Sequence, residues 1–219
     1  MRNPIYLSHP FSNDTPLYGG VKNIKISQAS SIQAGDTANT LNLSFPNHSG
    51  THIDVPYHFF EDGKKLTDYD ASFWIFDNPV CVCVCGEDGY IVNYDDVANS
   101  INNKTDLLLI RTGYEKFRSV PKYWEKNPGL SVDLAKGLRL KHPNLRAVGM
   151  DFISVTSRLN REEGREAHRE FLGNHYSSDP IVLIEDMSLK KYKNNISQVI
   201  ILPLIILEAD GAPCTAISR

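Results

Sequence analysis

The sequence contains no stretch approaching the roughly 20 consecutive apolar residues that a membrane-spanning helix requires. Its longest apolar run, residues 199–207, is short and interrupted by Pro203. Nor does an apolar segment follow Arg2 in MRNPIYLSHPFSNDTP, where Pro4 and Pro10 break the chain early. No secretory signal and no membrane partner are therefore expected, and the expected location is the cytoplasm. Charge of one sign is scarce too. The formal net charge is -3, and no basic patch is interleaved with aromatic residues. That composition offers nothing to a phosphate backbone and excludes nucleic acid from the expected partners. Linkers rich in Pro, Gly or Ser are missing, as are repeats, so residues 1–219 read as one domain large enough to bury its own core.

Cysteine is rare, and three of the four occur together in Cys81-Val82-Cys83-Val84-Cys85. In an extended strand these thiols share one face and the valines the other. The i, i+2 spacing departs from the usual thiolate zinc patterns. The expectation is a buried strand using cysteine as a small hydrophobe, in preference to a thiolate metal or redox centre. The charge-rich stretch Arg161 to Glu170 mixes both signs and reads as a solvated helix face.

The apolar patterning predicts strands at Val21–Ser27, Thr40–Phe45, Asn78–Cys85, Asp106–Arg111, Leu145–Met150, Ile181–Ile184 and Val199–Leu207. It predicts helices at Asn93–Asn99, Ser131–Leu140 and Glu162–Leu172, the second capped by Ser131 and the third stopped at Gly173. Strands alternating with helices indicate an α/β core.

Chemistry concentrates in Asn47-His48-Ser49-Gly50-Thr51-His52-Ile53-Asp54-Val55-Pro56-Tyr57-His58. Three of the seven histidines and one aspartate lie here. Imidazole and carboxylate are the usual ligands of zinc, manganese and related divalent ions. Gly50, Thr51, Ile53, Val55 and Pro56 all disfavour helix. In an extended chain the even positions 48, 52, 54 and 58 share a face, but a straight strand would hold His48 about 13 Å from His52, at ~3.3 Å per residue. Ligands of one ion must lie closer, so the chain must bend, and Gly50 is the residue that permits it. Elsewhere, Asp151 and Ser154 follow a predicted strand and could support such a site or merely cap a turn. Arg111 ends another strand, as a partner for a substrate carboxylate or a structural ion pair. Phe59, Phe60, Phe73 and Trp74 read as core, with one or two available to wall a pocket. His9, His142 and His175 carry no pattern.

The pattern His-x-Gly-Thr-His-x-Asp-x-Pro-x-His resembles the signature of the cyclase-like family of metal-dependent hydrolases, which includes bacterial kynurenine formamidase and isatin hydrolase. Further segments resemble the same family: Tyr6–Pro10, Leu66–Tyr69, Ile110–Gly113, Gly149–Val155, His168–Gly173, Ile184–Met187 and Asp210–Pro213. The resemblance implies an α/β fold of the swivelling β/β/α type, one domain with mixed strands and flanking helices. It implies one or two divalent ions, zinc or manganese, as cofactor. It makes His48, His52 and Asp54 metal ligands, with Asp54 able to bridge, and assigns His168 and Glu185 to a second ion. His58 becomes the general acid/base. Asn174 to Asp179 looks inserted between those last ligands, which leaves Glu170 and Asp179 as further candidates for the position of Glu185. Hydrolysis of a small amide, such as N-formylkynurenine or a cyclic amide, is the implied activity, in a homodimer or homotetramer. A cyclase or dehydratase reaction, or a metal-stabilised binding protein without turnover, are the alternatives.

Overall fold

The computed structural model describes residues 3–192 and 196–219. Its strands are β1 (Ile5–Tyr6), β2 (Lys25–Ser30), β3 (Thr40–Ser44), β4 (His52–Asp54), β5 (Ile75–Phe76), β6 (Pro79–Cys83), β7 (Ile91–Val92), β8 (Leu107–Arg111), β9 (Gly129–Leu130), β10 (Ala147–Met150), β11 (Val182–Glu185), β12 (Val199–Pro203) and β13 (Gly211–Ser218). Three α-helices accompany them: α1 (Lys122–Glu125), α2 (Val132–Lys141) and α3 (Arg161–Leu172). Among the described residues no helix is long and apolar enough to cross a membrane.

One nine-stranded mixed sheet organises the molecule, in the order β5-β12-β13-β4-β11-β10-β8-β6, with β1 added to β13. Strands β6, β8, β10 and β11 run parallel. Continuous apolar runs such as Leu107–Ile110 suit strands covered on both faces. Along β8 the side chains alternate between two cores. Leu108 and Ile110 pack with residues of α2 and α3, including Leu134, Leu138 and Phe171. Leu107 and Leu109 pack with Val199, Ile201 and Ala216 of the antiparallel strands. The antiparallel half thus curls over the parallel half, and the α/β expectation holds with the sheet nearly closed on itself. Strands β2 and β3 form a separate two-stranded arm.

Helix α2 begins as expected. The Leu134 amide donates to Ser131 Oγ at 2.9 Å, and Leu134, Ala135 and Leu138 face the core. Other expectations shift. Strand β2 starts later than Val21, and β12 stops at Pro203, which has no amide to continue a ladder. Asn93–Asn99 forms two 3-10 turns, not a helix. There the Asn93 amide donates to Asp96 Oδ2 at 2.8 Å, closing the first turn. The cysteine expectation is corrected. Strand β6 lies at the sheet edge, Val82 and the following Val84 are the buried residues, and Cys83 and Cys85 are exposed with Cys81 half-buried.

Asp186 locks the end of β11. Its carboxylate accepts two bonds from Arg118 Nε, at 2.9 and 3.1 Å, one from Arg118 Nη2 at 2.7 Å and one from the Tyr123 hydroxyl at 2.6 Å. Its carbonyl accepts from Thr51 Oγ1 at 2.6 Å, in the middle of the histidine-rich segment. The Asp186 side chain is 2% exposed and that of Arg118 18%. Removing the cation would strand a buried carboxylate. Arg118→Met is expected to cost about 3 kcal/mol, a fall in Tm of about 6–12 °C for a chain of this size, read by thermal unfolding followed by circular dichroism. An unchanged Tm would show that the pair contributes little.

Candidate metal and catalytic site

The predicted bend is present: Gly50 adopts φ +61°, a left-handed conformation that favours glycine. It turns the chain so that the rings of His48 and His52 lie 5.3 Å apart between centroids. Beyond the turn, β4 is clamped between β11 and β13. Ile53 enters the core, while His52 and Asp54 share the opposite face. Antiparallel register sets Glu185 directly across from His52, which is the closest side-chain neighbour relation a sheet offers. Helix α3 supplies the fourth group, His168, one turn after Gly164.

These groups converge without bonding one another. His52 Nε2 lies 3.5 Å from Asp54 Oδ1 and 3.4 Å from Glu185 Oε2. His168 Nε2 lies 3.8 Å from Asp54 Oδ2 and 3.5 Å from Glu185 Oε1. Such separations are long for hydrogen bonds. They match donors held at about 2.1 Å from a common tetrahedral ion, which sit roughly 3.4 Å apart. Both imidazoles are oriented through the other nitrogen: His52 Nδ1 is 2.8 Å from the Gly50 carbonyl, and His168 Nδ1 is 2.7 Å from that of Gly164. Nδ1–H therefore donates to the backbone and leaves Nε2 lone pairs aimed at two buried carboxylates, the usual arrangement around a ligated ion. The carboxylates demand positive charge there. Burial pulls His168 down, yet attraction to Glu185 and Asp54 overrides it and raises its pKa. Two acidic and two imidazole groups facing one point fit a divalent cation.

A second group adjoins the first. His48 Nδ1 is 2.7 Å from Asp54 Oδ1, and His48 Nε2 is 2.8 Å from Asp210 Oδ2. Burial opposes charge on His48, but the bonds to Asp210 and Asp54 prevail and lift its pKa to about 10. The same contacts hold Asp54 and Asp210 well below the carboxylate range despite the opposing effect of burial. His58 Nδ1 meets Asp210 Oδ2 at 2.7 Å, and Asn47 Nδ2 donates to Asp210 Oδ1 at 2.6 Å. The His48 and His58 rings lie 4.1 Å apart between centroids.

All six residues singled out in the sequence meet here, but their grouping differs from expectation. His52 joins Glu185 and His168, because strand register places it opposite Glu185. His48 joins Asp54 and His58, whose ligating atoms lie within 4.8 Å of one another. Asp54 is common to both groups, as a bridging carboxylate would be. Glu170 and Asp179 lie elsewhere: Glu170 bonds His175 and Tyr176, and Asp179 borders a separate cavity beside Arg146. Arg111 reaches Cys83 Sγ at 2.9 Å and the Tyr192 carbonyl, away from the site, so neither role expected for it is realised. Asp151 accepts from the Thr112 and Gly113 amides and shapes the loop after β8. Ser154 lines the site cavity. That cavity has a volume of about 330 Å³ and is walled by Leu17, Tyr18, Phe59 and Ile153. Phe59 stacks on His168 at 4.9 Å.

Asp210, Asn47 and the arginines of α3 were not anticipated. Asp210 stands 162 residues from His48, and only its place before Gly211 marked it in the sequence. Arg161 and Arg165 are exposed, as a solvated face implies, and at the same time line the cavity.

Gly164 lets α3 approach closely. A Cβ there would meet the Thr156 Cα, and its carbonyl orients His168. Saturating Zn²⁺ or Mn²⁺ is expected to raise Tm, by about 2.7 kcal/mol of stabilisation at a hundredfold excess over Kd. His52→Ala should abolish the shift, and Gly164→Ala should weaken ion affinity at least ~10-fold, as loss of an orienting contact does. Equal shifts in wild type and His52→Ala would place the ion elsewhere.

Known proteins resemble the chain in sequence and in fold. Over 215 residues, 98% of this chain and 96% of the relative, the chain is 27% identical to a kynurenine formamidase of Bacillus cereus. A kynurenine formamidase of Bacillus mycoides is 28% identical with the same coverage of each chain. Among solved structures, isatin hydrolase A from Labrenzia aggregata superposes with a TM-score of 0.82 at 17% identity, covering 99% of this chain and 93% of that one. A potential metal-dependent hydrolase with cyclase activity superposes with a TM-score of 0.78 at 18% identity, covering 99% and 96%. Residues 5–157, more than half of the chain, match the sequence profile of the putative cyclase family, and the protein belongs to that family.

Proposed function

We propose that this protein is a metal-dependent hydrolase of small amides, of the formamidase type, acting on an aryl formamide or a cyclic amide. The convergence of His52, Asp54, His168 and Glu185 beside His58, which is paired to a third carboxylate, Asp210, carries this reading. The full-length similarity to kynurenine formamidases supports the reaction class. A cavity of about 330 Å³ suits a small molecule, not a polymer.

His52, Asp54, His168 and Glu185 would hold a divalent ion, with His48 available to a second; bound there, it would supply Lewis acidity toward a carbonyl and lower the pKa of water toward about 7. The chain's own residues do the rest. Water adds across the C–N bond: its hydroxyl goes to the carbonyl carbon, and the leaving nitrogen takes a proton. His58 is placed to deliver that proton. Nδ1–H donates to Asp210, which fixes the tautomer and stabilises the imidazolium as it forms. Its other ring nitrogen has no partner among the described residues. Asn47 and His48 hold Asp210 in turn. Leu17, Tyr18, Phe59 and Ile153 limit water around the substrate.

Assembly follows from the arm. Leu41 and Leu43 of β3 are 59% and 60% exposed, and an isolated two-stranded ribbon is only marginally stable in water. Leu202 and Leu204 are exposed as well, and they line one groove together with Leu41 and Leu43. We assign this surface to a second copy of the chain. Light scattering should report twice 24.6 kDa, and L41K/L43K should be monomeric; a monomeric wild type overturns the assignment.

For the reaction itself, release of formate from an N-formyl aryl amide is the primary assay. His58→Ala should lower kcat by roughly 10² to 10⁴-fold, the usual worth of general acid/base catalysis, with metal content unchanged. Loss of metal from His58→Ala would make it a ligand, since it lies within ligand reach of His48 and Asp54. No formate from any small amide in the metal-loaded protein would overturn the hydrolase reading.

A further inference from the structure

One hydroxyl in the cavity wall keeps its proton uncommitted. Ser154 is 6% exposed and borders the same cavity as His52, His168 and Glu185. Its Oγ accepts the Thr156 amide at 3.1 Å, an ordinary turn contact for serine. That contact occupies a lone pair and leaves the O–H free. Among the described residues the proton reaches no acceptor, and a buried donor without one calls for an explanation. Ser154 is not placed to act as a nucleophile, because that role needs a base within hydrogen-bond reach. The nearest imidazole, His168, turns Nδ1 to the Gly164 carbonyl and Nε2 to the carboxylates.

The segment that carries this hydroxyl is fixed from three sides. Fully buried Asn127 donates through Nδ2 to the carbonyls of Ser154, at 3.4 Å, and Thr156, at 2.9 Å. The Leu130 amide donates to the Val155 carbonyl at 3.0 Å, and the Asp186 amide to the Phe152 carbonyl at 2.9 Å. On the metal side, the Val155 amide donates to Glu185 Oε1 at 2.7 Å. The residue after Ser154 is thus bonded to one of the converging carboxylates, and this sets the serine beside the place where a substrate carbonyl meets the ion. A donor held in advance, in a site that admits little water, stabilises charge that develops during reaction without having to reorganise. Thr156, the other hydroxyl of this segment, is turned instead toward His168 Nδ1, at 3.3 Å.

We propose that Ser154 is a further catalytic residue: its hydroxyl donates to the carbonyl oxygen of the amide as that oxygen gains negative charge. This rests on the hydrolase reading of the same cavity. Addition of water to the carbonyl carbon moves the C=O π pair onto oxygen. Departure of the nitrogen, protonated by His58, returns the pair, and Ser154 keeps its own proton throughout. The donor is tested in binding as well as in turnover. The metal-loaded protein is titrated calorimetrically with phenylphosphinate, a tetrahedral anion, and with benzoate, a planar one. Wild type, S154A and S154C are compared, the last being close to serine in size but a poor donor, with metal content and Tm measured on each. Both variants should bind phenylphosphinate at least ~10-fold more weakly than wild type, as loss of a hydrogen bond to a charged group does, and benzoate equally well. A merely loosened turn would weaken both ligands alike, so an equal loss for the two overturns the assignment. Unchanged affinity for phenylphosphinate in the variants, or no binding to wild type, overturns it as well. With formanilide, S154A should lower kcat by about 10² to 10³-fold with KM unchanged; a wild-type rate in S154A overturns the assignment. No formate from wild type, with the phenylphosphinate loss present in both variants, would overturn the formamidase reading and leave Ser154 as the donor to a tetrahedral oxygen.

Discussion

Two buried carboxylates that face the same point set the terms for the rest of this molecule. Asp54 and Glu185 are 1% and 4% exposed, and like charges at that depth repel strongly and lose their hydration. Their proximity is tolerable only where positive charge is shared between them. The surroundings are arranged to that end. His52 and His168 turn their Nε2 atoms inward because backbone carbonyls hold their Nδ1 protons. His48 contributes a third imidazole from the far side of Gly50. A fold with an apolar pair at these positions would avoid the cost altogether, so the arrangement points to a task that needs a cation.

The sheet explains how groups so far apart in sequence come to share one point. Strand β4 is only three residues long, yet it is paired along both edges. A slip of one residue would turn His52 and Asp54 into the core and Ile53 into the cavity. Ile53 packed among Leu107, Val182 and Ile184 opposes that slip. Apolar packing on one face therefore fixes the chemistry on the other. Asp186 adds a second restraint, since it anchors Thr51 through its carbonyl while Arg118 and Tyr123 hold its carboxylate.

What could be read from the sequence was what is local. Bend and ligand types in residues 48–58 follow from glycine, proline and the even spacing, and the helices declare themselves through Ser131 and Gly173. Pairing partners are not local. Nothing near His52 indicates that Glu185 lies across from it; the family resemblance puts His48 with His52, and only strand register sets His52 beside Glu185. Asp210 was invisible as a functional group for the same reason. Cysteine misled differently: alternation correctly put the thiols on one face, but only the sheet order reveals that β6 is an edge and that its valine face is the buried one.

The arginines of α3 mark the limit of composition as a guide. Between Arg161 and Glu170 the chain alternates charges in a way typical of a helix in water, and most of those side chains are exposed. Exposure to solvent and exposure to a cavity look alike in a sequence. Position relative to His168 separates them. The buried side of α3, formed by Gly164, Ala167, His168 and Phe171, fixes the helix against the sheet. That docking leaves Arg161 and Arg165 at the rim of the cavity and sends Arg169 away from it toward Glu166. A helix docked to deliver one imidazole to the carboxylates thus also determines which of its charged residues can meet a ligand.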